Sequence, residues 1–457
     1  MRQSLMRSFQ QIYVLDLHGS AKKKERTPDG VKDENVFDIQ QGVAISLFVK
    51  GRGLERGVWR GDFWGSRLAK YGATAESTLT SIDWQLLSPA SPFYLFAPQN
   101  AALQEEYHAG WRLTEVLPVN VLGFQTHRDA FAVSFTEAEM NRKLAELANS
   151  RISDEELTRR YGLKSNRDWS FSGARSAARN GASIPPRLVA YRPFDDRWSE
   201  FSDLTMDYPR RELLDHVAGR SNITLLAPRG VGSQDWRHAF IADKPANDCV
   251  ISDKSREANQ VYPLWTFADN VVAEENITPR FRAFLEESYK HHYTPEEILG
   301  YIYAVLHAPT YRTRYAEFLR IDFPRVPFPE SADDFENLSG LGWALVQAHL
   351  LRELPRRGLA AYHGRGDHTV ETVRYAPAER AIAINKAQSF KPVPQDVWDF
   401  HIGGYQVLDK YLKSRKGRVL SLDEIDHIGA IADSLAFTIA QMARIDEAYK
   451  AAFPDPA

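Results

Sequence analysis

Two short apolar runs joined by a long polar connector constrain the N-terminal part of this chain most strongly. Ile12–Leu17 and Val43–Val49 are rich in β-branched residues and too short for helices, so both are predicted to be buried strands. The connector contains a Pro-Asp-Gly turn, Phe37 and three consecutive lysines, Lys22, Lys23 and Lys24. Core strands that carry a basic loop and an aromatic residue indicate part of a nucleotide-handling site.

The composition is that of an ordinary globular protein. Of 457 residues, 43% are hydrophobic and 26% charged, which leaves room for two or three domains. No apolar run reaches the roughly 18 residues of a membrane span, and the N-terminus lacks the apolar region of a signal peptide. The single cysteine, Cys249, excludes an internal disulfide framework and a cysteine-built zinc site. We therefore expect a cytoplasmic protein with no membrane partner.

The local signals change along the chain. Between residues 185 and 270, Pro, Gly and Asn turns separate four strand candidates, Leu188–Tyr191, Ile223–Leu226, Ala239–Ala242 and Cys249–Ile251. This pattern favours a β-rich subdomain. From Thr278 the pattern is helical, and the capping sequence Ser421-x-x-Glu424 begins a long terminal helix, with an interruption at Gly429 left open. The predicted fold class is mixed α/β.

Several cationic segments are candidates for phosphate contact, each with a plainer alternative. Lys164–Arg179 has little apolar periodicity and predicts a basic loop that holds Trp169 and Phe171, or else an exposed connector between helices. Arginines in the β-rich connectors could equally be surface ion-pair partners. The lysine run could be a solvated loop, and Phe37 could be a core residue. The net charge of −3 decides nothing, because DNA binding depends on local patches.

No catalytic constellation follows from spacing. Gly61–Gly65 lacks the phosphate-loop pattern and its lysine. Asp16 and His18 lie on one strand as two potential ligands, but a metal site needs more donors. The scattered histidines and carboxylates form no nucleophile–base set. The sequence therefore predicts neither catalytic residues nor a metal site.

Most of the chain resembles, in order, the C-terminal part of Type ISP single-polypeptide restriction–modification enzymes. The segments that carry the resemblance are YVLDLHGSAKKKERTPDGVKDENVFDIQQGVAISLFVK (13–50), GDFWGSRLAKY (61–71), GFQTHRDAF (123–131), VAYRPFDDRW (189–198), ILGYIYAVLHAPTYRTRYAEFLRIDFPRVPFP (298–329) and AINKAQSFKPVPQDVWDFHIGGYQVLDKYLKSRKGR (383–418). The resemblance implies a partial Rossmann-like adenine-N6 DNA methyltransferase sheet at 1–75, a β-rich target-recognition domain at 76–330 and its helical C-terminal part at 331–457.

The resemblance also implies what such an enzyme needs and this sequence lacks. Neither the glycine-rich S-adenosylmethionine loop nor the Asn-Pro-Pro-Tyr motif that holds the flipped adenine occurs here. We expect a target-recognition portion that is inactive alone and binds no cofactor by itself, although the complete family enzymes use S-adenosylmethionine. The implied partners are double-stranded DNA and a separate or missing N-terminal methyltransferase, helicase and nuclease part.

Two alternatives to that function stay open. The chain could be the split half of an active adenine-specific methyltransferase that an upstream-encoded chain completes. It could instead be a protein-interaction scaffold that docks a helicase or nuclease partner.

Resemblance assigns one element of the base-binding pocket. Phe37 matches the aromatic residue that stacks on the flipped adenine, and Asn35 and Gln40 would line the same pocket. The remaining candidates for DNA contact are cations, namely Lys22, Lys23, Lys24, Arg128, Lys164, Arg167, Arg175, Arg192 and Arg229.

Overall fold

The computed structural model describes residues 1–21, 25–91, 93–98, 101–233, 235–254, 256–268 and 272–454, which divide into two compact units, Met1–His108 and Ala109–Ala457. The first elements of the chain are α1 (Arg2–Ser8), β1 (Gln11–Asp16), β2 (Ala44–Val49), β3 (Gly57–Asp62), α2 (Arg67–Glu76), β4 (Gln85–Leu87) and α3 (Ala101–Ala109). The domain limits expected from the sequence stay predictions.

One mixed sheet organises the first unit. Its strand order is β2-β1-β3-β4, with β1 antiparallel to β2 and parallel to β3. Both N-terminal strands predicted from the sequence are confirmed. Two small apolar clusters support the sheet, one containing Ile12 and Val58 and the other Leu15, Leu17 and Val36.

The predicted burial of β2 is wrong. Ile45, Leu47 and Phe48 are 38%, 46% and 41% exposed, and β2 has no fully buried residue. The reason is its place in the sheet: β2 is an edge strand with a partner on one side only among the described residues. The apolar composition therefore predicted the strand correctly, but no described residues bury its side chains.

The second unit contains many short strands and, among the described residues, all the helices of more than ten residues. Its strands are β5 (Trp111–Arg112), β6 (Val121–Leu122), β7 (Arg187–Arg192), β8 (Asp195–Ser199), β9 (Thr224–Pro228), β10 (Phe240–Ala242), β11 (Asn259–Pro263), β12 (Trp265–Ala268), β13 (Val272–Glu275), β14 (Arg325–Val326), β15 (Ala361–His363), β16 (Arg374–Ala376), β17 (Ala381–Ala383), β18 (Ser389–Lys391), β19 (His401–Ile402) and β20 (Tyr405–Gln406).

Its helices are α4 (Leu113–Val116), α5 (Asp129–Ala132), α6 (Glu137–Ala148), α7 (Asp154–Tyr161), α8 (Phe171–Arg179), α9 (Arg211–Leu214), α10 (Pro279–Tyr289), α11 (Pro295–His307), α12 (Pro309–Arg314), α13 (Ala316–Leu319), α14 (Ala332–His349), α15 (Gln395–Trp398), α16 (Val407–Lys413) and α17 (Leu422–Ala452), with a 3-10 turn at Pro377–Glu379.

The β-rich part centres on the sheet β10-β9-β11-β6 and the hairpin β7–β8. Three of the four predicted strands are confirmed as β7, β9 and β10. The fourth, Cys249–Ile251, is wrong because side-chain amides take its backbone donors: Cys249 N donates to Asn247 Oδ1 at 3.0 Å and Ile251 N to Asn259 Oδ1 at 3.3 Å. A segment whose N–H groups bond to side chains does not join a sheet.

Half of the predicted basic loop at 164–179 is helix α8. Ser170 caps it by accepting from Gly173 N at 3.1 Å. Trp169 and Phe171, expected in a loop, are 6% and 8% exposed and pack in one core cluster with Phe131. The helix was not predicted because it is only nine residues long and its sequence, FSGARSAAR, contains Ser, Gly and only one large apolar residue.

The helices α11, α14 and α17 form the core of the C-terminal part, beside a small sheet ordered β15-β18-β17-β16. Ser421 and Glu424 form the predicted capping box, and α17 runs unbroken through Gly429. This helix is long and apolar enough to cross a membrane, yet Ile428, Ile431 and Leu435 are fully buried in the protein core. The mixed α/β fold class predicted from the sequence is confirmed.

Candidate nucleic-acid interface

The Phe37 side chain is presented on the surface of the first unit. It is 56% exposed, whereas the neighbouring Val36 is 3% exposed and belongs to the core. Adjacent positions therefore separate the two roles, with Val36 anchoring the segment and Phe37 facing outward. A core role for Phe37, the alternative considered from the sequence, is not what the structure shows.

Asn35 closes the loop that carries Phe37. Its Nδ2 donates to Gly19 O at 3.0 Å and to Gln41 O at 2.6 Å, and its Oδ1 accepts from Phe37 N at 2.9 Å. Gly19 has φ +82°, and a Cβ there would lie 2.4 Å from Asn35 Cα, so only glycine permits this approach. Gln40 is exposed, and its backbone carbonyl accepts a long bond from Ser20 Oγ at 3.5 Å.

Helix α2 holds the same loop from its other side. Tyr71 Oη donates to Val36 O at 2.5 Å, and Arg67 Nε donates to Asn35 O at 2.8 Å. Lys70 is fully buried and donates to Asp33 Oδ2 and to Glu34 O, both at 2.6 Å. The segment from Asp33 to Phe37 is thus fixed residue by residue, which holds an exposed ring at a defined position.

A charged cluster lies where β1 and β3 end together. His18 Nε2 lies 2.8 Å from Asp62 Oδ1, and Arg60 pairs with both Asp16 and Asp62 at 2.8 Å. Burial alone would raise the pKa of Asp62, but bonds from His18 and Arg60 lower it to about 2. Asp16, His18 and Asp62 lie close enough to hold a cation. Arg60 already bonds to both carboxylates, so the cluster ties the strand ends together.

A cavity of about 740 Å³ opens beside the Phe37 loop, and its wall carries both signs of charge. Asn35, Arg26, Lys32 and Glu34 are among its lining residues. The lysines predicted to bind phosphate here, Lys22, Lys23 and Lys24, lie outside the described residues.

In the second unit, Asp207 gathers three side chains from the segments around residues 127 and 166. Its carboxylate accepts from Arg128 Nη2, from His127 Nδ1 and, at 2.8 Å, from Asn166 Nδ2. Burial alone would raise the pKa of Asp207, but these bonds lower it. Arg128, predicted to contact DNA, is 7% exposed and stacks on Trp169 at 3.9 Å. Arg128 is thus an internal partner of Asp207.

The other cations predicted to contact DNA fall into two groups by exposure. Lys164 is exposed, and the side chains of Arg167 and Arg229 are 86% and 69% exposed, with ion pairs to Asp168 and Asp322 at 3.0 Å. Ion pairs with a highly exposed guanidinium contribute little to stability, and both arginines stay accessible to solvent.

Arg175 and Arg192 have internal roles. Arg175 is 4% exposed and bonds Asp154 and the carbonyls of Asn149 and Ile152, which ties α8 to the α6–α7 connection. The Arg192 side chain is 10% exposed and donates to Asn247 Oδ1 at 2.9 Å. The roles of all these residues in DNA binding stay predictions.

Of the residues around Asp207, His127 and Tyr208 were not singled out from the sequence as contacts, whereas Arg210 was one of the connector arginines considered. His127, Tyr208 and Arg210 cluster on the surface of the second unit, with Arg210 stacked over the Tyr208 ring at 4.7 Å. His127 lies in GFQTHRDAF, one of the segments that carry the family resemblance, and this was the available signal. The neighbouring Arg128 was predicted instead, because cations are the usual phosphate ligands.

Comparison with known proteins identifies the family. The Type ISP C-terminal specificity domain matches residues 115–439. No curated protein matches.

Several solved structures share the fold of this chain. A nuclease-deletion mutant of the Type ISP restriction-modification enzyme LlaGI with a DNA substrate mimic matches at TM-score 0.66 and 17% identity, covering 98% of this chain and 37% of that one. The ATP-dependent Type ISP enzyme LlaBIII bound to DNA matches at TM-score 0.69 and 16% identity, covering 98% of this chain and 31% of that one. The DrdV–DNA complex matches at TM-score 0.68 and 19% identity, covering 98% of this chain and 48% of that one. The chain thus spans less than half the length of these proteins. The match over residues 115–439 shows that this chain belongs to the Type ISP C-terminal specificity domain family.

Proposed function

We propose that this chain is the sequence-specific DNA-binding portion of a Type ISP-like restriction–modification adenine-N6 DNA methyltransferase, acting in the cytoplasm and inactive alone. The family match supports a role in target recognition. The LlaGI, LlaBIII and DrdV neighbours are DNA complexes, and we extend that partner to this chain. In such a role, cations neutralise phosphates while a few side chains read base edges in the major groove.

The observation that carries the proposal for the first unit is the exposed Phe37 ring on a loop that Asn35 and α2 hold in place. Exposure of an apolar ring to water is unfavourable, and a flat partner that stacks on the ring would remove that surface from water. A flipped adenine is such a partner, because extrusion costs a few kcal/mol of base stacking that an aromatic ring partly replaces. Asn35 and Gln40 flank this ring.

A catalytic part must supply what the sequence lacks, including the S-adenosylmethionine site. The edge of β2 has no neighbouring strand among the described residues, and Ile45, Leu47 and Phe48 are exposed. An edge strand is a template for another strand, which supports such a partner. A separately encoded chain or a covalently attached methyltransferase sheet would cover these residues.

The test is duplex binding by the chain itself. Binding-site selection on random duplexes would give a preferred sequence, and titration at several salt concentrations would give its affinity and salt slope. We expect affinity to fall steeply with salt, by a slope of about 0.9 per phosphate contacted. The proposal fails if no duplex binds even at low ionic strength, and binding to a helicase or nuclease chain in that case would support the scaffold.

Stacking by Phe37 has its own test in the complex with the catalytic chain. Fluorescence of 2-aminopurine at the target position rises when the base leaves the helical stack. Phe37→Ala should lower this signal while leaving salt-dependent binding intact, and Phe37→Trp, which keeps an aromatic face, should retain it. An equal signal in Phe37→Ala and the unaltered chain would count against stacking.

A further inference from the structure

The His127 imidazole is aimed outward by a buried carboxylate. Its Nδ1 is hydrogen-bonded to Asp207 Oδ2, and the Asp207 side chain is fully buried while that of His127 is 53% exposed. His127 has φ +50°, a left-handed conformation that is unfavourable for a non-glycine residue. The backbone therefore adopts a strained form at the residue that places this ring at the surface.

Asp207 does not need His127 for its own neutralisation. Arg128 pairs with the same carboxylate and is held by stacking on Trp169, and Asn166 donates a further bond. The carboxylate is thus immobile before the imidazole binds to it. A carboxylate that fixes Nδ1 sets the tautomer and direction of the ring, as in metal and catalytic histidines. Nε2 is left facing outward with no partner among the described residues.

The groups around His127 are those that contact nucleic acids. The Tyr208 ring lies edge-on at 6.5 Å, and Arg210 stacks over that ring. Within the described chain Arg210 has no carboxylate partner, and its buried Nε lacks a hydrogen bond. Arg167 reaches Tyr208 Oη at 3.5 Å with its side chain 86% exposed. Asp168, paired with Arg167, is the acidic residue of this group besides the neutralised Asp207.

We propose that His127, Tyr208, Arg210 and Arg167 form a DNA-contact surface, the His127 surface, in which Nε2 of His127 makes a directed hydrogen bond to duplex DNA. Because Nδ1–H is donated to Asp207, Nε2 is the acceptor nitrogen of the ring. The bond therefore comes from an amino group on a base edge, since phosphate oxygens carry no proton to donate. This inference rests on the proposed DNA-binding function and names the part of the second unit that carries it. It assigns the DNA contact of this segment to His127 and not to the neighbouring Arg128, which is buried.

The alternative is a purely structural histidine. His292 supplies the matched control, because its side chain is 68% exposed and its Nδ1 lies 2.7 Å from Glu286 Oε1. That carboxylate is itself half exposed, so His292 has the same local bond without a buried, fixed partner. His127→Asn is the test variant, since asparagine tolerates the left-handed conformation and the fold should survive.

The experiment measures affinity, salt slope and selected sequence for the full chain, His127→Asn, Arg210→Gln and His292→Asn. We expect His127→Asn to weaken binding roughly tenfold, as expected for loss of one directed bond, and His292→Asn to bind normally. An unchanged salt slope with relaxed preference at one position in His127→Asn identifies the base contact, whereas Arg210→Gln should lower the slope by about one because it removes a cation.

Two outcomes would overturn the proposal in distinguishable ways. If the full chain binds DNA and both His127→Asn and Arg210→Gln match it in affinity, slope and selected sequence, the His127 surface is wrong and the DNA-binding function stands. If the unaltered chain binds no duplex at all, the proposed function fails, and the His127 surface fails with it.

Discussion

Asp33 and Lys70 form a fully buried ion pair beneath the Phe37 loop, with Lys70 Nζ 2.6 Å from Asp33 Oδ2 and both side chains completely inaccessible to solvent. Both charges are satisfied: Lys70 also donates to Leu17 O at 2.7 Å, and Asp33 Oδ1 accepts from Gly65 N at 2.7 Å. A buried pair with such bonds fixes local geometry, and removal of one partner leaves an uncompensated charge.

Lys70→Met should therefore unfold the Phe37 loop locally. We expect a loss of about 3–5 kcal/mol in local stability, seen as faster amide hydrogen exchange at residues 33–41. Lys50→Met, which removes an exposed lysine of the same unit, is the control and should exchange like the unaltered chain. Equal protection of residues 33–41 in all three proteins would contradict a structural role for the pair.

Asn35 and Gln40 should differ sharply, although the sequence assigns them to the same pocket. Asn35→Ala removes three bonds that close the loop, at about 1–3 kcal/mol for the buried groups left unpaired. We expect faster proteolytic cleavage between residues 36 and 41. Gln40→Ala removes an exposed side chain and should be cleaved at the rate of the unaltered chain. Similar cleavage rates for both variants would show that the Asn35 side-chain bonds do not stabilise the loop.

Arg175 and Arg167 should separate stability from DNA affinity. Arg175→Gln removes a buried guanidinium that bonds two carbonyls and the half-exposed Asp154, and should lower the free energy of unfolding by about 1–3 kcal/mol, with no change in the salt slope of DNA binding. Arg167→Gln removes a surface pair and should change stability by less than about 1 kcal/mol while reducing that slope by about one. Chemical unfolding and salt titration check the two effects, and a reversed pattern would refute the assignment.

Two glycines on α14 should respond oppositely to alanine. A Cβ at Gly342 would lie 1.9 Å from Gly300 O on α11, so Gly342→Ala must push the helices apart. Overpacking of this kind costs about 1–3 kcal/mol or more. Gly340 has nothing within 4 Å of such a Cβ, and Gly340→Ala should stabilise the helix by up to about 1 kcal/mol. Thermal unfolding of both variants gives the comparison, and a stable Gly342→Ala protein would disprove the close contact.

Asp62 should contribute to acid unfolding of the first unit. Its pKa in the folded protein is lowered from 3.8 to about 2, so its contribution is complete above about pH 4 and is lost as the pH falls toward 2. The shift corresponds to about 2 kcal/mol, which we reduce to about 1 because a third of the side chain is exposed. Asp62→Asn should flatten the stability profile between pH 4 and 2, and an unaltered profile would show that the bonds to Arg60 and His18 are not stabilising.

Local chemistry in the sequence determined those elements that a few neighbouring residues can specify. The β-branched run at Ile12–Leu17 forms β1, and Ser421 with Glu424 begins α17 as a capping box, because both signals act within one turn or one strand. The family resemblance of the same segment marked Phe37 and Asn35 as candidates, and their roles at a base stay proposals.

Tertiary structure alone decided which of the predicted residues face solvent. β2 has the composition of a buried strand but lies at a sheet edge, where burial depends on what covers it. Arg128 has the chemistry of a DNA contact, yet Asp207 and Trp169 arrive from 79 and about 40 residues away and enclose it, which leaves His127 at the surface. Neither partner is visible from local sequence, because exposure is set by contacts between segments that are distant along the chain.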